Sequence, residues 1–156
     1  MPQFLSTKQM VANELKKLKV LADPAPVNRV LRILALDSAD MVSNRIQQKG
    51  QNSDGVKMKT KSPEKFGAYS KAYGKKRQRK GFQTNHIDFT LEGDLWSAWK
   101  VLPINNRSIG VGFTGQEVEK AGWLEDMFGD VFVLTKEEEA DILELATFEV
   151  NKILGI

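Results

Sequence analysis

The chain has 156 residues, enough for one domain with a real core, and no apolar run approaches the roughly 20 residues that a bilayer span needs. Hydrophobic residues make up 41% and charged residues 28%, an ordinary balance for a globular protein, and the absence of cysteine excludes disulfides and cysteine-held zinc. The net charge of +3 hides an asymmetry: Lys49 to Phe82 holds eleven Lys or Arg against Asp54 and Glu64, a net +9, which leaves −6 for the remainder. A basic segment on an acidic body points to a contact between copies or to an anionic partner.

The opening MPQFLSTKQM lacks a charged-then-apolar-then-small layout, so no secretory leader is expected. Ser6 and Gln9 have capping-box spacing, and Leu5 and Met10 have hydrophobic-staple spacing. Val11, Leu15 and Leu18 then recur on one face, which predicts a first helix that Asp23-Pro24-Ala25-Pro26 stops. A second helix is expected from Val27 to Lys49, ended by Gly50. Val27, Val30, Leu31, Leu34, Met41, Val42 and Ile46 mark its broad apolar face.

Residues 50–90 read as a basic extended loop or arm within a single domain spanning 1–156. Gly50 to Gly55 is turn chemistry, and Val56, Met58 and Thr60 alternate with Lys57, Lys59 and Lys61, which permits a short exposed strand. Ser62-Pro63-Glu64 suits the start of a short helix that would place Phe66, Tyr69 and Tyr73 on one face. Lys75-Lys76-Arg77-Gln78-Arg79-Lys80 follows Gly74, and its mutual repulsion predicts a mobile segment that orders on a partner.

Leu91-Glu92-Gly93-Asp94-Leu95 would rejoin the arm to the body, beside Trp96 and Trp99, which read as core residues whose ring N–H groups need acceptors. Lys100–Ile104 and Ser108–Phe113 read as a hairpin around Asn105-Asn106-Arg107. Its second strand carries Ile109, Val111 and Phe113 on one face, and Gly110 and Gly112 on the other. A helix is expected from Gly115 to Phe128, capped by Thr114 with Glu117, with Val118, Ala121, Leu124 and Phe128 inward. Val131 to Leu134 reads as a strand. The last helix starts at Thr135, with Glu138 completing a capping box and Ile142, Leu143, Ala146, Val150, Ile153 and Leu154 on its buried face. The expected class is α+β: a small, largely antiparallel sheet packed with amphipathic helices, with the basic arm between the second helix and the hairpin.

Catalytic chemistry is not legible. His86 is the single histidine, has no ligand partner at metal spacing, and reads as a surface or hydrogen-bonding residue. No nucleophile elbow, zinc-protease, P-loop or dinucleotide motif occurs. Glu137, Glu138 and Glu139 point in different directions on a helix and suit its positive N-terminal end. No enzyme, cofactor, catalytic residue or metal site is therefore expected. The residues expected to meet a partner or a second subunit are Lys57, Lys59, Lys61, Tyr69, Tyr73, Lys75, Lys76, Arg77, Arg79 and Lys80. The alternative use of the same loop is nucleic-acid binding, with Lys75 to Lys80 on phosphates and Tyr69, Tyr73 and Phe82 stacking on bases.

Several short motifs occur in a telling order. They are Gly55, Ser62-Pro63, Tyr69 with Lys71, Leu91 to Leu95, Ile109-Gly110-Val111-Gly112-Phe113, Ala121-Gly122-Trp123, and Val131-Phe132-Val133-Leu134-Thr135-Lys136-Glu137-Glu138. In this order, over residues 27–154, the chain resembles the tail-completion and virion-morphogenesis proteins of tailed bacteriophages. It departs from their pattern at Glu92, where Thr is more usual, and in the link Glu125 to Asp130, which lacks their histidine, glycine and arginine arrangement. The resemblance implies a non-enzymatic virion protein at the head–tail junction or tail, made in the host cytoplasm. It implies self-association into a ring, a hexamer or dodecamer, that docks to neck, connector or tail-tube proteins. A ring needs one surface of a subunit to meet a different surface of the next, and a basic arm reaching an acidic neighbour is one way to supply it.

Overall fold

The structure, a computed structural model, describes residues 7–156, so the Ser6 cap and the Leu5–Met10 staple lie outside the described residues. The class is α+β. The elements run α1 (Thr7–Ala22), α2 (Pro24–Asn44) with a π-helical turn Arg45–Lys49, β1 (Lys65–Phe66), β2 (Tyr69–Ser70), α3 (Lys71–Arg79), α4 (Asp94–Ser97), β3 (Trp99–Asn105), β4 (Ser108–Phe113), α5 (Glu117–Phe128) and α6 (Lys136–Leu154). The strands form two separate antiparallel pairs, β1–β2 and β3–β4, so the one small sheet expected is replaced by two hairpins.

The proline cluster both stops α1 and starts α2. Asp23 alone separates them, and its carboxylate accepts from the Ala25 amide at 3.1 Å. Pro24 takes the first helical position, where no amide donor is missed, so α2 begins three residues before the expected Val27. Its C-terminal end loosens into the π turn before Gly50 closes it at φ +62°. There the Gln47 carbonyl meets His86 Nε2 at 2.7 Å, which docks the later loop against the helix.

Helix α2 is the spine. It packs on α6 and on the β3–β4 hairpin, whose register sets Trp99 opposite Phe113 and Val101 opposite Val111 on the face turned inward. The core gathers Val42, Ile46, Met58, Tyr69, Ile87 and Val131. Burying an aliphatic side chain as fully as Ile46 or Val131 contributes roughly 1.5–3 kcal/mol. Around it runs an aromatic belt centred on Phe132, whose ring lies 4.6 Å from Phe113, 5.8 Å from Phe89, 5.9 Å from Trp99 and 6.4 Å from Trp96. Both tryptophans donate to carbonyls, Trp96 to Asp88 and Trp99 to Ala39, each at 3.0 Å. The start of α6 also follows the expectation, with a full Thr135–Glu138 capping box, and Gly155 closes the helix at φ +69°.

Several expectations are corrected. The long basic loop is not a loop: residues 65–79 form a tight hairpin followed directly by α3. No helix starts at Ser62-Pro63. Ser62 Oγ instead donates to the Glu64 carbonyl at 3.0 Å in a turn that leads into β1. The strand expected over Val56 to Lys61 shrinks to one bridge, Gln51 with Lys57, because no neighbouring strand runs alongside. Its alternation survives in part, with Met58 buried and the three lysines exposed.

Val131 to Leu134 pairs with no strand either. Side chains take the place of a ladder: Arg45 Nη2 donates to the carbonyls of Val131 and Val133 at 2.6 and 2.9 Å. Glu125 Oε1 accepts from the Val131 and Phe132 amides at 3.3 Å each. The Thr114–Glu117 capping box does not form, since α5 starts two residues later, at Glu117, with Gln116 at the cap position. Val118 and Leu143, expected inward, are exposed.

Candidate interaction surface

Helix α3 is a surprising place for order. It holds five cations, no acid and a glycine, and like charges one turn apart oppose a helix. A single buried side chain resolves this. Arg77 has no exposed surface and bonds Asp88 through Nη2, at 3.0 Å to each carboxylate oxygen. Its Nε donates to the Gln83 carbonyl at 3.0 Å and its Nη1 to the Thr90 carbonyl. The guanidinium also lies over Tyr69 at 4.5 Å and near Phe82 at 5.4 Å from the ring centres.

Asp88 is saturated in turn. Besides Arg77 it accepts from the Tyr69 hydroxyl at 3.2 Å, the Thr90 amide at 2.9 Å and Gln83 Nε2 at 2.6 Å. Breaking a buried pair by removing one partner costs about 3–5 kcal/mol, because the remaining charge is stranded. Burial pushes the Tyr69 phenol well above its ordinary value. The Asp88 amide that donates to its oxygen pulls the other way, and the Asp88 carboxylate adds to the rise. The frame is tight sterically as well. A Cβ on Gly74 would come within 2.7 Å of the Phe66 backbone oxygen, so only glycine lets α3 lie against β1.

A second arginine, in the π turn that ends α2, does the same. Arg45 joins Glu138 in an ion pair, and Glu138 Oε2 also accepts from the Thr135 amide at 2.9 Å as part of the cap. Burial lowers Arg45 from its usual value, while Glu138 opposes the fall. One arginine therefore pins α3 and the other pins the start of α6.

The residues expected to meet a partner divide into two groups. Lys57, Lys59, Lys61, Lys75, Lys76, Arg79 and Lys80 are exposed, and Tyr73 stands at the surface. Arg77 and Tyr69 are buried and consumed inside the chain, so they frame the surface and do not form it. On α3 and its C-terminal cap, Lys71 pairs with Glu64 at 3.0 Å and Lys80 with Glu92 at 3.7 Å; among the described residues Lys75, Lys76 and Arg79 have no acidic partner.

Asp88, Arg45 and Glu138 were not expected to hold the fold in this way. The signal for Asp88 was present: a lone acid between Ile87 and Phe89, just beyond a run of cations. Asp88 is followed by Phe89 at φ +56°, a left-handed position that is rare for a bulky residue and costs about 1–2 kcal/mol. That turn sets the Phe89 ring against Phe128 at 5.7 Å.

Between α3, the Leu91–Leu95 loop and α5 lies a groove of about 420 Å³. Tyr73, Phe89, Leu91, Leu95, Leu124, Met127 and Phe128 make it largely apolar. Glu92, Asp94 and Lys120 add charge to its lining. Exposed apolar side chains are also spread over the helices: Met10, Val11, Leu15 and Leu18 on α1, Trp123 on α5, and Leu143 and Phe148 on α6. No helix among the described residues is long and apolar enough to cross a membrane. Comparison of the chain with protein-family models, curated proteins and solved structures finds no match.

Proposed function

We propose that the chain is a structural virion component of a tailed bacteriophage, which self-associates into a ring at the head–tail neck or tail end and docks there to neck and tail partners. The observation that carries this is the division of the surface. Helix α3 offers exposed cations on a rigid frame, while α5 and α6 each carry more acids than bases and leave large apolar side chains in water. Large exposed apolar groups on charged helices are characteristic of surfaces that become interfaces. The ordered motif set read from the sequence supplies the phage setting.

The test replaces charge and leaves the frame intact. Lys75, Lys76, Arg79 and Lys80 are changed to Glu together, Arg77 being retained. The expected result is a folded chain that no longer forms rings in electron micrographs and no longer joins heads to tails in a phage assembly reaction. Normal infectious particles from this variant would remove the reading.

The acid-free face of α3 also favours a second reading, contact with DNA or RNA phosphates. It loses force because two of its three stacking residues are unavailable: Tyr69 is buried and Phe82 is packed on Arg77. Binding of single- or double-stranded DNA that weakens steeply with salt and vanishes in the same fourfold variant would restore it.

A further inference from the structure

The groove beside α3 has a complement elsewhere on the same chain. On α6, Glu137, Asp141, Glu144 and Phe148 follow at spacings of four, three and four, so they share one outward face. All four are exposed, and Phe148 keeps 61% of its surface in water although it is a phenylalanine on an acidic helix. Tyr73 lines the apolar groove; Lys76 on α3 and Lys80 at its C-terminal cap, exposed and outside that lining, follow it at spacings of three and four. An aromatic flanked by acids on one helix thus answers an apolar slot flanked by cations on another.

The spacing agrees as well as the charge. At a rise of about 1.5 Å per residue, Glu144 and Asp141 lie roughly 6 and 10.5 Å from Phe148 along α6, and Lys76 and Lys80 lie roughly 4.5 and 10.5 Å from Tyr73 along α3 and its cap. We infer that the groove is the docking slot for α6 of a second copy of this chain, with Phe148 seated in it and Glu144 and Asp141 against Lys76 and Lys80. The two surfaces differ and sit on one chain, so each copy can give one and receive the other. Such a head-to-tail contact propagates from copy to copy, and a rotation between copies that closes makes it a ring. Lys80, which pairs with Glu92 within one chain, exchanges that partner for the incoming acid. The inference rests on the ring reading above and assigns its interface.

The chain contains no cysteine, so introduced thiols report on contacts without background. A Phe148→Cys copy is mixed with a Met127→Cys copy, Met127 being an exposed residue of the groove, and the mixture is oxidised mildly. The expected product is the mixed disulfide dimer, several-fold above that from pairing Phe148→Cys with Val56→Cys, an exposed control position. Glu144→Lys and Lys76→Glu should each abolish the excess, and mixing a copy that carries one with a copy that carries the other should restore it. A yield no greater than the control, or preferential capture of Leu15→Cys on α1 by Met127→Cys, would overturn the docking. Rings that persist intact in Phe148→Glu overturn this interface and leave the ring reading standing. A wild-type chain that stays monomeric at every concentration, with neck partners present, removes both.

Discussion

Residues 56–90 carry the densest positive charge in the chain, and residues 7–22 carry a regular amphipathic stripe, yet the first is locked into the body and the second stands largely off it. The stripe of Met10, Val11, Leu15 and Leu18 remains more than half exposed. The basic segment, by contrast, contributes Met58 and Tyr69 to the core and buries an arginine completely. Periodicity shows that a helix has a face; it does not show that the fold supplies something to cover it. Charge density shows repulsion, and one well-placed acid can outweigh it. Asp88 collects Arg77, Tyr69, Gln83 and Thr90 at one point, and that convergence gives the segment its fixed shape.

The sharpest way to break this contrast is Arg77→Ala. It strands Asp88 in a buried site, and the expected loss is about 3–5 kcal/mol of stability. Urea unfolding followed by far-UV circular dichroism measures it. If the segment is as integral as its bonds imply, α3 and the core melt in one transition at lower urea. A loss below about 1 kcal/mol would show that the charges of α3 are held by other means.

A smaller effect tests the same cluster through pH. The folded chain holds the Tyr69 proton above the ordinary tyrosine value, chiefly because the phenol is buried. The unfolded chain releases it near pH 10, so above that pH the unfolded state binds fewer protons and gains stability relative to the folded state. The contribution is fully present below about pH 10 and is lost as pH rises, by up to about 1.4 kcal/mol per pH unit. Unfolding midpoints taken between about pH 8 and pH 11 should fall more steeply for the native chain than for Tyr69→Phe. Equal slopes would mean that the phenol titrates as freely folded as unfolded.

How much was legible follows the distance over which each signal acts. The Thr135–Glu138 cap and the hairpin around Asn106 lie within a few residues, and the structure shows both where the sequence places them. Arg77 and Asp88 stand 11 apart, and Arg45 and Glu138 stand 93 apart. Nothing local distinguishes those arginines from their neighbours. Arg77 sits in a run of six cations or amides of which it alone turns inward, because its position on α3 faces Tyr69 and the Asp88 turn. The missing strand at Val131 to Leu134 has the same origin. Its apolar pattern is real, but Arg45 and Glu125 reach its backbone groups before any strand does. At the surface, the lysines named from sequence are exposed, while Tyr69 and Arg77 became supports for them.

The smallest expected effect belongs to α1. Gln has nearly the helix propensity of Leu, so Leu15→Gln with Leu18→Gln removes apolar surface without weakening the helix itself. Both side chains are already mostly in water, and substitutions at such sites usually change stability by no more than about 0.5 kcal/mol each. The pair should therefore leave the urea midpoint nearly unchanged. A loss of 2 kcal/mol or more, on the order of that for core truncation, would mean that α1 is packed as the basic segment is. An unchanged midpoint would place the stripe outside the forces that hold this chain together, since α1 then adds helix and exposed apolar surface without adding core.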